Sequence, residues 1–106
     1  MATNLVTLLC TCPDTACGER IAAVLVEKRL AACVNLVPGV RSFYRWQGQA
    51  RDDQEILLII KTAAGHFDAI EALVHKLHPY DVPELIALPI TAGARSYLDW
   101  LRAETS

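Results

Sequence analysis

The 106-residue chain predicts an α+β fold of the split βαβ, ferredoxin-like class, as a single domain over residues 1–106 with an extra C-terminal helix. Three observations predict it. Strand-like and helix-like hydrophobic periods follow one another as β-α-β-β-α-β before a last helical segment. A turn signal, Gln47-Gly48-Gln49, joins the two middle strands as a hairpin. Apolar residues make up 53% of the chain, enough for a core at this length.

Residues 4–11 (NLVTLLCT) are rich in β-formers and run into the turn pair Pro13-Asp14. Asp14 suits an N-cap, and Cys17, Ile21, Val24 and Leu25 then recur at helical spacing. That helix is expected to stop near Leu30. Residues 32–37 read as a strand, broken at Pro38-Gly39 and resumed from Val40 to Trp46. The returning strand carries Ile56-Leu57-Leu58-Ile59-Ile60, apolar on both faces. Phe67, Ile70, Leu73, Val74 and Leu77 mark a second helix, ended by Pro79 because the residue before proline avoids the α region. Residues 82–90, with Pro83 and Pro89, suit an edge strand, since proline cannot donate to a ladder. Residues 94–102 form the last short helix, with Tyr97, Leu98, Trp100 and Leu101 available to pack.

This pattern leaves one face unaccounted for. Two main helices cover one side of a four-stranded sheet, and an antiparallel sheet then alternates apolar and polar residues. Leu5-Val6, Leu8-Leu9 and residues 56–60 do not alternate. A second apolar face of that size is a contact surface for another subunit. The alternative, a third helix folded back over it, offers about nine residues and shields only part.

Composition excludes several classes. A formal net charge of −2 argues against a broad nucleic-acid or anionic-membrane footprint. No apolar run reaches the roughly 18 residues of a spanning helix, and the start of the sequence lacks the basic region of a secretory signal. A cytoplasmic protein is the expectation. Cys10, Cys12, Cys17 and Cys33 sit in a chain with a rich core and fail the paired C-x2-C zinc spacing, so most read as small buried hydrophobes.

Residues 9–14 (LCTCPD), 30–39 (LAACVNLVPG), 44–48 (YRWQG), 78–84 (HPYDVPE) and 97–101 (YLDWL) together resemble the CutA family of divalent-cation tolerance proteins. The match covers nearly the whole chain in order. The resemblance implies a homotrimer similar in fold to the nitrogen-signalling PII proteins. It further implies a non-enzymatic role in copper tolerance and metal binding.

Cys10 is the thiolate candidate, at a strand end that turns into a helix N-terminus, where a thiol's pKa is lowered. A buried strand cysteine is the plain alternative. If the strand persists to Cys12, the two cysteines share a face. His78, before Pro79, offers an imidazole suited to copper or zinc. In the copper-binding relatives, the resemblance implies a cysteine matching Cys10 and two adjacent histidines. Leu77 stands where the first of that pair belongs, so His78 remains alone and the copper site is expected to be weak. His75 lies one turn back and is a lesser candidate. Glu84, in a rigid extended stretch with Tyr80, completes the proposed ligand set of Cys10, His78 and Glu84; a plain surface carboxylate is its alternative.

Arg41, Phe43, Tyr44, Arg45 and Trp46 mix cations and aromatics, but the RNA-binding RNP1 pattern is absent and Asp52, Asp53 and Glu55 offset the charge. Cross-strand pairing and an inter-subunit aromatic contact explain them better. Two other functions compete. One is a PII-like signalling or scaffolding trimer that binds a small ligand or protein at inter-subunit clefts lined by Tyr80, Glu84 and arginines from a neighbour, resting on fold analogy alone. The other is a small enzyme with a cysteine nucleophile and His78.

Overall fold

The computed structural model describes residues 2–106. Within them the chain runs β1 (Leu5–Cys12), α1 (Thr15–Glu27), β2 (Cys33–Trp46), β3 (Gln49–Ala63), α2 (Phe67–Leu77), β4 (Ile86–Pro89) and α3 (Arg95–Glu104). The four strands form one antiparallel sheet ordered β2-β3-β1-β4, the split βαβ arrangement with a terminal helix.

Local chemistry sets the element ends. The Asp14 side chain accepts from the Cys17 N–H at 2.8 Å and caps α1. Replacing Asp14 with alanine is expected to cost about 1 kcal/mol, read as a lower denaturation midpoint at unchanged slope. The helix stops three residues before Leu30. Arg29 takes φ +61°, and the Leu30 and Ala31 N–H groups fold back onto the Leu25 carbonyl. Gln47 (φ +51°) and Gly48 (φ +77°) make the two-residue turn between β2 and β3, with the positive φ pair that matches strand twist.

Pro38-Gly39 does not break the strand. β2 continues through it with a shift of register between Val37 and Val40, and Gly39 takes φ +76°. Beyond the bulge, residues 40–46 and 49–55 pair only with each other, since β1 covers β3 from Ile56 onward. The result is a two-stranded ribbon projecting from the sheet, and the molecule measures 44 × 26 × 23 Å. Arg41 donates to both Asp52 carboxylate oxygens, at 2.9 and 2.6 Å, and stacks over Phe43 at 5.0 Å. That pairing commits the cation nearest the aromatics. β4 is an edge strand, but only four residues long; the Val82-Pro83 stretch lies outside the ladder.

Helices α1 and α2 cover one face. There Leu8, Cys10, Cys12, Leu58 and Ile60 pack against Ile21, Leu25, Ile70 and Val74, all fully buried. Burying each such large aliphatic side chain contributes about 1.5–3 kcal/mol. Helix α3 lies at one end of the sheet, where Leu98 and Leu101 meet Leu5, Ala32 and Ala63. It does not reach the rest of the second face. Leu9, Leu57 and Ile59 are half-buried there, and Val37, Ile86 and Leu88 are exposed.

Candidate metal centre

β1 holds its ladder with β3 through Cys12, which faces Ile56, so Pro13 falls after the last paired residue. Strand period then puts Cys10 and Cys12 on the helix-covered face. α2 ends at Leu77, and His78 follows with its N–H on the Val74 carbonyl at 2.8 Å. Pro79 keeps His78 extended (ψ 136°) and turns its ring toward the end of β1. Cys10 Sγ, Cys12 Sγ and one His78 ring nitrogen all lie within 4.8 Å of one another. The two cysteines are 0% exposed and the histidine 6%.

The hydrogen bonds of His78 define its state. Nε2 lies 2.8 Å from the Thr11 carbonyl, an acceptor only, so Nε2 carries the proton. Nδ1 accepts the Tyr80 backbone N–H at 3.2 Å. The imidazole is therefore neutral, with its one lone pair at Nδ1. A metal taken at Nδ1 displaces a single weak bond and keeps the carbonyl that orients the ring. A metal taken at Nε2 would force both bonds to break. The Tyr80 ring sits against the imidazole, centroids 4.6 Å apart.

The surroundings of Cys12 and Cys17 favour their protonated forms. The Cys10 sulfur alongside, and then burial, push the Cys12 thiol far up. Burial pushes Cys17 up to about 11, with Cys12 adding to it. A metal ion must expel the cysteine protons. Two soft sulfurs and one imidazole fit copper or zinc and offer nothing to magnesium or calcium. Among the described residues no disulfide competes for these thiols.

The other sequence candidates fall outside this cluster. Leu77 packs against the main core, and His75 is exposed on the last turn of α2. Glu84 is exposed in the loop between α2 and β4 and is no part of the Cys10–Cys12–His78 group. It lines a cleft of about 770 Å³ with Tyr80, Glu55, Arg51 and the base of the ribbon. Glu55 is only 7% exposed, and the Tyr80 hydroxyl donates to its Oε2 at 3.0 Å. Partial burial, then the Glu55 charge, hold the Glu84 carboxyl above the usual range, and burial likewise raises the Tyr80 phenol. The member of this cluster to which sequence reasoning gave no ligand role is Cys12. Its signal was present, since a strand places i and i+2 side by side.

Comparison with known proteins agrees with this architecture. The family model described as CutA1 divalent ion tolerance protein matches residues 6–104. The divalent-cation tolerance protein CutA of Thermus thermophilus is 54% identical over 98 residues, 92% of this chain and 95% of that one. A solved structure of the divalent cation tolerance protein (Cut A1) from Thermus thermophilus superposes with TM-score 0.94 at 52% identity, covering 96% of this chain and 99% of that one. CutA1 from Oryza sativa superposes with TM-score 0.94 at 44% identity, covering 99% and 96%. Sequence order, sheet topology and family match converge, and the chain belongs to the CutA1 divalent ion tolerance family.

Proposed function

We propose that this chain binds a soft metal ion, copper ahead of magnesium or calcium, through Cys10, Cys12 and His78, as part of a response to divalent cations. The observation that carries this reading is the convergence of two sulfurs and an imidazole nitrogen within 4.8 Å, behind the last residues of β1. Thiolates and a neutral imidazole select copper or zinc by softness. Glu84 is left out of the inner set. Copper titration of the pure protein is expected to lose affinity about a hundredfold or more on Cys10→Ser or His78→Ala, since even removing a group that only orients a ligand costs 10–100-fold. Equal binding by wild type and a Cys10→Ser, His78→Ala double variant would reject the reading.

The working unit is a homotrimer. The half-buried apolar face of Leu9, Leu57 and Ile59 and the unsupported ribbon with Phe43 at 72% exposure both call for a neighbouring copy. The number three rests on the family resemblance. Metal binding without catalysis, in the reducing cytoplasm, accords with the free thiols. Neither a nucleic acid nor a membrane is needed as a partner.

A further inference from the structure

We propose that Cys17 is a fourth ligand to the metal ion, closing the Cys10–Cys12–His78 cluster into a buried tetrahedral site of three sulfurs and one imidazole. The inference rests on the metal-binding reading above and deepens it, by fixing the coordination and the class of ion. Three donors leave one position of a tetrahedral ion open, and catalytic sites keep that position for water or substrate. Solvent does not reach it here. Cys10 and Cys12 are 0% exposed, Cys17 is 4% and His78 6%. The three thiols share one core with Ile21, Leu25 and Leu58, and the Thr11 carbonyl is already committed to His78. A water at the open position would be buried among hydrocarbon and poorly partnered, which is costly. The remaining donor therefore comes from the chain.

Cys17 is the donor in place. It stands in the first turn of α1, where the Asp14 side chain holds its N–H at 2.8 Å, so the cap that starts the helix also fixes this residue's backbone. Cys12 has the Cys10 and Cys17 side chains as its sulfur neighbours. Among the described residues, Cys10 gives its thiol to the Thr11 carbonyl and Cys33 to Asn35, while the buried thiols of Cys12 and Cys17 bond no oxygen. Two adjacent buried thiols without an oxygen acceptor are donors left over for an ion. Cys17 lies outside the 4.8 Å group, so it closes a site that the other three begin and holds no ion without Cys10 and Cys12. Three thiolates exceed the charge of a divalent ion by one, and the positive end of α1 offsets that excess. Three cysteines and one histidine are a closed set suited to zinc(II) and, by softness, copper(I), and they deny copper(II) its tetragonal geometry. A closed shell gives a substrate no position on the metal. The ion is stored or sensed, not used in catalysis.

Cobalt(II), a spectroscopic stand-in for zinc, tests this on the assembled protein. Wild type is expected to show the charge-transfer intensity of three thiolates and the strong visible bands of a tetrahedral ion, both unchanged when azide is added. Cys17→Ala is expected to lose about one third of the charge-transfer intensity, one thiolate in three, and to admit azide to the vacated position. Its zinc affinity, measured against a competing chelator, is expected to fall on the order of tenfold or more, since even outer partners of a ligand are worth that much. Cys33→Ser removes a thiol outside the cluster and leaves bands and affinity as in wild type. Two arms need no core variant: a wild-type band of two-thiolate intensity, or a wild-type spectrum that azide changes, overturns the closed site. Cys17→Ala with the spectrum and zinc affinity of wild type overturns it as well. Failure of the underlying reading looks different, because wild type then gives no cobalt–thiolate band at all, and the fourth ligand falls with it.

Discussion

Ile59→Lys is expected to turn the assembled protein into monomers. Ile59 lies in β3 between Leu9 of β1 and Asn35 of β2, at the middle of the face that no helix covers. Its neighbours Leu57, Val37, Ile86 and Leu88 extend the apolar surface, and α3 stops at the Leu5–Ala63 end. If another copy closes that face, an ammonium there has no partner and its desolvation costs several kcal/mol at each interface. Obligate interfaces behave like halves of a core, and that loss exceeds what they tolerate. Within one chain the same side chain can extend into water, so the fold itself survives. Sedimentation equilibrium at micromolar concentration is expected to show one third of the wild-type mass with far-UV circular dichroism unchanged. A variant of wild-type mass would place the contact elsewhere.

Leu58→Ala probes the opposite face and is expected to cost about 2–5 kcal/mol of stability. Leu58 is fully buried, pairs with Cys10 across the ladder, and fills the space over Gly18, where its Cδ2 lies 3.2 Å from the position of an added Cβ. The approach of α1 to the sheet at Gly18 is so close that the helix cannot settle into the vacated volume without moving its whole first turn. A cavity therefore remains, and the cavity term adds to the lost transfer energy. The check is the shift in denaturation midpoint at fixed protein concentration, because subunit association also contributes to apparent stability. A loss below about 1 kcal/mol would mean that this layer is not packed as described.

The order of elements was legible because hydrophobic period alone distinguishes Leu5–Cys12 from Thr15–Glu27 and Gln49–Ala63 from Phe67–Leu77. The Asp14 cap and the Gln47-Gly48 turn were legible as well, each from a residue type with one local use. What was missed has a physical cause in each case. Arg29 ends α1 in the left-handed region, where glycine or asparagine is the usual marker, so arginine gave no sign. Pro38-Gly39 reads as a break, yet a bulge absorbs both residues at an edge position and the ladder continues. The ribbon was hidden because strand length beyond the sheet depends on where β1 ends, not on β2 or β3 themselves. At the candidate metal centre, Cys10 and His78 could be named from sequence, and their approach within 4.8 Å depends on how α2 crosses the sheet. Glu84 was grouped with them as a carboxylate held in a rigid extended stretch with Tyr80. The extended loop through Pro79 and Pro83 instead carries it to the Glu55 side of Tyr80.

The cluster of Cys10, Cys12 and His78 decides the metal chemistry proposed for this chain, and X-ray absorption at the copper edge tests it most directly. With one equivalent of copper per chain, the expected first shell contains sulfur and one imidazole nitrogen, with the sulfur contribution lost in a Cys10→Ser, Cys12→Ser variant. A first shell of oxygen and nitrogen alone in the wild type, or a sulfur shell that persists without both cysteines, would contradict it.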